Sequence, residues 1–199
     1  MMGRYLVMDI ESGGLGHECS LLTAYLMVLD ENLAPGAELD LAIKPENELY
    51  VLTAQGMGVN GIDLQKHDKA AETARVASQR LYEFLKKQSS DGKEKLTPLG
   101  HGVAFDVPWL AGPQGLISKN SWEQFVSYVY VDTGVVARFL QDCGRVPRRV
   151  KHSLSALAAH FAIEFKEAHT ARGDALMTAE VYRKMRELTD KRAYVGPHL

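Results

Sequence analysis

The chain has 199 residues, 46% hydrophobic and 24% charged with a formal net charge of −2, which fits one globular domain with a sizeable core and argues against a disordered or fibrous segment. Its two cysteines, Cys19 and Cys143, stand in no metal-binding spacing, so neither a disulfide framework nor a cysteine zinc centre is expected, and a reducing compartment fits. No run approaches the roughly 20 apolar residues of a membrane span, and Asp9 and Glu11 break the apolar start too early for a signal peptide, so a cytoplasmic protein without membrane association is expected.

Tyr5 to Asp9 reads as a short buried strand, Leu21 to Leu29 as a second closed by the turn cluster Asp30-Glu31-Asn32, and Leu39 to Ile43 as a third. Three strands in succession predict an antiparallel meander. Pro45 to Asp63, with Gly56, Gly58 and Gly61 and no clear period, reads as a loop. From Lys69 to Lys87 the spacing of Ala74, Ala77, Leu81, Phe84 and Leu85 predicts a helix. A fourth strand over Leu96 to Gly100 precedes short helices over Pro108 to Leu116 and Trp122 to Val126. A fifth strand, Tyr128 to Val131, leads into a helix over Thr133 to Gln141. Helices over Ser153 to Ala162 and Gly173 to Leu188 close the chain, and the tail after Thr189 reads as frayed. Strands first paired and then alternating with helices predict a single α/β domain over residues 1–199, its core at about 4–188, with a mixed five-stranded sheet flanked by helices.

Three segments carry chemistry. Asp9 and Glu11 end the first strand, and side chains at i and i+2 of a strand share a face. Two adjacent carboxylates raise each other's pKa unless a cation lies between them, and an all-oxygen pair suits Mg²⁺ or Mn²⁺; a strand ending in solvated acids is the other reading. Asp106 stands just before Pro108, a favoured first helical residue, and either caps that helix or reaches a metal at the sheet edge. Asp174 shares a helical stripe with Val181, Met185 and Leu188, so it faces the sheet and needs a partner there. His169 is five residues earlier, about 140° away in a continuous helix. It meets the same site only from a loop before the helix, where Gly173 offers a break, and is otherwise an exposed loop histidine.

Together, Asp9-Ile-Glu11-Ser12-Gly-Gly-Leu15, His101-Gly102-Val-Ala-Phe105-Asp106 and His169-Thr-Ala-Arg-Gly-Asp174-Ala resemble, in order and context, the three motifs of the DEDDh 3′–5′ exonuclease superfamily, the group of RNase T and of polymerase proofreading subunits. Ser12 and Gly13 replace the two threonines of D-x-E-T-T-G-L, Gly102 replaces the asparagine of H-N-x-x-F-D, and H-x-A-x-x-D-A is complete. The resemblance extends over Val131-Asp132-Thr133 and Lys151 to Ala158, spanning residues 4 to 186. It implies an RNase H-like fold and hydrolysis by two Mg²⁺ or Mn²⁺ ions roughly 4 Å apart. Asp9 would bridge both ions, Glu11 and Asp174 would hold the one that carries the water, and Asp106 would serve the other. His169 would act as general base. Leu15 and Phe105 would pack on the terminal bases, with core packing the alternative for Phe105, and the Ser12 backbone would contact the terminal 3′ hydroxyl or phosphate.

Other residues carry blander expectations. Asp132 reads as a helix N-cap rather than a fifth ligand. His152 and His160 read as structural, and His17 and His67 have no acidic context. Arg145, Arg148, Arg149 and Lys151 form a basic run, a solvated loop or a phosphate track in which Arg148 and Arg149 bind substrate. The expected partner is a single-stranded 3′ end of DNA or RNA, and association as a homodimer or with a polymerase is left open. A non-catalytic nucleic-acid-binding module and a proofreading subunit are the competing readings. The intact acids and His169 oppose the first, and the lack of a long extension after the last helix opposes the second.

Overall fold

The computed structural model describes residues 4–164 and 169–189. Strand β1 (Tyr5–Ser12) pairs antiparallel with β2 (Leu21–Leu29), and β2 with β3 (Pro35–Lys44), giving the expected meander. On the other side of β1, β5 (Thr97–Gly100) and β6 (Val131–Asp132) run parallel to it. A two-residue strand, β4 (Glu72–Thr73), pairs with β3 and completes a mixed sheet in the order β4-β3-β2-β1-β5-β6. The sheet therefore has six strands rather than five.

Leu6, Val7 and Met8 are fully buried in the central strand, which is why the start of the chain reads as an unbroken apolar run. Alternate residues still divide between two cores. Leu6, Met8 and Ile10 pack beneath α3 (Ala74–Gln88), α4 (Val103–Leu110) and α5 (Lys119–Phe125). Val7 faces α8 (Ala171–Glu187), whose Ala171, Ala175 and Ala179 line the contact. These small side chains at helical spacing let α8 approach the sheet closely, and the stripe brings the first turn of α8 beside the end of β1. α6 (Thr133–Asp142) and α7 (Leu154–His160) pack with α8 in a third cluster.

Local departures from the periodicity have identifiable causes. Within the expected loop, α1 (Ala54–Asn60) is capped by the Thr53 side chain and ended by Gly61 in the left-handed region. The expected helix over Lys69 to Lys87 is divided: α2 (Leu64–Ala70) stops at the extended Ala71, and α3 starts after Thr73. α4 begins at Val103, five residues before Pro108, and tolerates the proline inside it for the loss of one backbone bond. Tyr128 to Tyr130 stay outside any strand, with Tyr128 86% exposed, so the fifth expected strand shrinks to β6.

Candidate active site

The acids converge from three elements. β1 presents Asp9 and Glu11 on its α8-facing side, and a register shift between Glu11 and Ser12 ends the regular strand. The chain then passes tightly against the segment before α1: a Cβ on Gly13 would lie 2.6 Å from the Val51 carbonyl oxygen, so no larger residue fits there. Asp174 comes from the first turn of α8, whose cap is Thr170, its Oγ accepting from Gly173 N–H at 3.0 Å. The helix break thus falls at Thr170 and not at Gly173. His169 stands just outside the helix in the left-handed region (φ 66°), and its backbone N–H donates to Asp174 Oδ1 at 3.3 Å. The required loop position of His169 is therefore present.

One carboxylate oxygen from each of Asp9, Glu11 and Asp174 lies within 4.8 Å of the others. Asp106 reaches the same region from α4, outside that tight trio but close enough to interact electrostatically with Asp9 and Glu11. It sits inside the first turn of α4, not at its cap. Burial, reinforced by Asp106, Asp174 and Glu11, raises the Asp9 pKa well above the carboxylate range. Burial and then Asp174 push Glu11 up to about 7, and burial, Asp132 and Glu11 push Asp106 up to about 8. Asp174 is also raised by burial, against the opposing pull of the hydrogen bond from His169 and of the His169 and His101 rings. Asp106 Oδ2 is buried without a hydrogen-bond partner. An all-oxygen donor set whose members repel one another, one oxygen of it orphaned, fits hard divalent cations such as Mg²⁺ or Mn²⁺.

Beside the acids lies a cleft of about 350 Å³ lined by Glu11, Ser12, Leu15, Val59 and Phe105, among others. Leu15 is 76% exposed and Phe105 37% exposed, so Phe105 faces the cleft rather than serving only as core. Ser12 is engaged within the protein: its carbonyl accepts from Asn60 Nδ2 at 3.0 Å and its hydroxyl donates to the Gly14 carbonyl at 2.7 Å. Asn60, buried on α1, thus supports the wall of the cleft from within the segment that reads in sequence as a loop.

Arg148 lies 3.6 Å from Asp142, at the end of α6 opposite Asp132, about 15 Å along the helix. Arg149 is exposed in the same loop. Gln141 Nε2 binds the Pro147 and Val150 carbonyls, and His152 Nε2 meets Gln141 Oε1 at 2.8 Å, so His152 holds this loop. His67 is buried against the Ile43 carbonyl, whereas His17 and His160 are exposed. Asp132 is an N-cap as expected, accepting from Gly134 and Val135.

Residues 6–182 match the family model for exonucleases of the RNase T type. The chain belongs to the RNase T exonuclease family. No curated protein matches it in sequence. Solved structures show the same fold: Escherichia coli exonuclease I with a dT13 oligonucleotide superposes with a TM-score of 0.71 at 15% identity, over 92% of this chain and 41% of that one. The zinc-bound E. coli exonuclease I–ssDNA complex gives 0.72 at 16% identity, over 96% and 42%. The complex of the same enzyme with dA16 gives 0.72 at 15%, over 94% and 41%. This chain thus spans about two fifths of the length of the exonuclease I chains. The family is one of nucleases, hydrolases that depend on divalent metal. Among the described residues, no helix is long and apolar enough to cross a membrane.

Proposed function

We propose that this exonuclease removes nucleotides one at a time from the 3′ end of a single strand, with two Mg²⁺ or Mn²⁺ ions, and releases nucleoside 5′-monophosphates. The observation that carries the proposal is the convergence of Asp9, Glu11 and Asp174 within 4.8 Å, with His169 beside Asp174. Asp9, Glu11 and Asp174 would hold one cation, and Asp106 with Asp9 would hold the other. When bound, the cations neutralise the phosphodiester and the charge growing on the departing 3′ oxygen.

The chain's own groups do the rest. His169, exposed and free of the core, takes a proton from the attacking water as its oxygen bonds to phosphorus. The bond from phosphorus to the 3′ oxygen of the preceding nucleotide breaks, and that oxygen gains a proton from solvent. Phosphorus stays on the 5′ oxygen of the released nucleotide. Leu15 and Phe105 pack against the terminal base, a contact indifferent to sequence. The exonuclease I complexes hold dT13 and dA16, so single-stranded DNA is the first substrate to test and RNA the second.

The test uses 5′-labelled and 3′-labelled single strands of DNA and RNA with Mg²⁺. The expected outcome is a 5′-labelled ladder that shortens progressively while the 3′ label appears at once as mononucleotide. Immediate release of the 5′ label would reverse the polarity.

A further inference from the structure

Asp132 lies on the edge strand β6 and serves two helices at once. Its Oδ1 accepts from Gly134 and Val135 N–H at 2.8 and 3.3 Å, capping α6. Its Oδ2 accepts from Gly102 and Val103 N–H at 2.9 and 3.1 Å, at the start of α4. α4 has no side-chain cap of its own, because its N-cap position is Gly102 at φ 95°. A Cβ at residue 102 would meet nothing within 4 Å, so backbone conformation and not crowding favours glycine there. Thr133 adds to the same latch: its Oγ donates to the Gly100 carbonyl at 3.3 Å and lies 2.8 Å from His101 Nδ1.

The Oδ2 bonds of Asp132 and the contacts of Thr133 fall on Gly100 to Val103, the stretch that leads into Phe105 and Asp106. The parallel pairing of Gly100 with Asp132 sets the two turns side by side. Asp106 Oδ2 has no hydrogen bond, so the helix and not a bond to that oxygen decides where it points. We propose that Asp132 is a positioning residue: by capping α4 across the sheet edge it seats Asp106 at the metal site without being a ligand itself. The inference rests on the reading of Asp106 as a metal ligand.

Asp132→Ser separates the two roles. Serine remains a good N-cap for α6, but its single short-reaching oxygen cannot also serve α4. The variant should melt within a few degrees of the parent. Amide exchange should quicken at Gly102 and Val103 while Gly134 and Val135 stay protected. The rate constant kcat should fall by at least about tenfold, as small misplacements of a catalytic group do, with KM nearly unchanged. Calorimetry should show the same number of Mn²⁺ ions, one bound roughly 10- to 100-fold more weakly, the scale for losing a group that orients a ligand. Asp132→Asn, with one acceptor oxygen, should move kcat and Mn²⁺ affinity the same way. Parent-like kcat and Mn²⁺ affinity in either folded variant would overturn the proposal, and so would loss of one whole Mn²⁺ equivalent, which would make Asp132 a ligand. A parent protein that releases no mononucleotides would instead defeat the proposed function, leaving the exchange and Mn²⁺ measurements to decide the role of Asp132.

Discussion

At Asp9, burial and three neighbouring carboxylates all act against ionisation of one side chain, so the residue is costly to the folded chain unless a cation is bound. Asp9→Ala should therefore abolish hydrolysis while raising the melting temperature in chelator, because the mutation relieves repulsion in the metal-free protein. Near-normal turnover by the folded variant in Mg²⁺ would remove Asp9 from the site. His169 differs in kind. It is exposed, its ring acts on Asp174 through charge, and its backbone N–H donates to that carboxylate, a bond that an alanine also makes. His169→Ala should lower kcat by roughly 10² to 10⁴, the range for loss of a general base, and leave Mn²⁺ binding intact. Calorimetry showing a lost Mn²⁺ site would reassign the histidine as a ligand.

At the scale of elements, what could be read from the sequence was whatever one element determines alone. The i, i+2 spacing puts Asp9 and Glu11 together on β1 without help from the rest of the fold. The stripe of Val181, Met185 and Leu188, expected to face the sheet, packs instead with α6 and α7, and Asp174 meets the β1 acids from the turn that carries Ala171 and Ala175. Contacts between distant segments left no such trace. Helix α1 carries Gly56 and Gly58, poor helix formers, and Gly56 is held where a Cβ would fall 2.4 Å from the Gly13 carbonyl oxygen. β4 exists only because β3 lies beside it. The double cap by Asp132 requires β5 and β6 to be neighbours, which no local pattern states. The basic run shows the same limit: Arg148 pairs with Asp142 at the end of α6, a contact that sequence spacing does not state. The end of α6 where Arg148 sits is about 15 Å along the helix from Asp132, a length of four or more stacked nucleotides at about 3.4 Å each. Changing Arg148 and Arg149 to Ala should consequently leave binding of di- and trinucleotides unaltered. With a long single strand it should lower the salt slope by about 1.4, at roughly 0.7 per phosphate contact. Isotherms at several salt concentrations, with Ca²⁺ to suppress cleavage, measure both, and an unchanged slope for the long strand would make the run ordinary surface.

For the whole molecule, the acid cluster makes stability depend on pH in a direction opposite to that of a salt-bridged protein. In the unfolded chain Glu11 and Asp106 ionise at the ordinary values of 4.5 and 3.8, whereas in the folded chain they hold their protons until about 7 and about 8. Between these limits the folded state binds more protons than the unfolded state, so stability falls as pH rises. Their contribution is fully present below about pH 4 and is lost by about pH 8. Divalent cations compete with those protons, and their stabilisation grows with the affinity of the ionised site. Melting curves in chelator should thus show a melting temperature that declines from pH 5 to pH 8, over and above the trend set by other groups. Mn²⁺ should raise it most at the alkaline end and little at pH 5. Asp9→Ala should flatten the decline and abolish most of the Mn²⁺ effect together, because one cluster produces both. A Mn²⁺ shift that is equal at pH 5 and pH 8, or that survives in Asp9→Ala, would place the ions somewhere other than among these four acids.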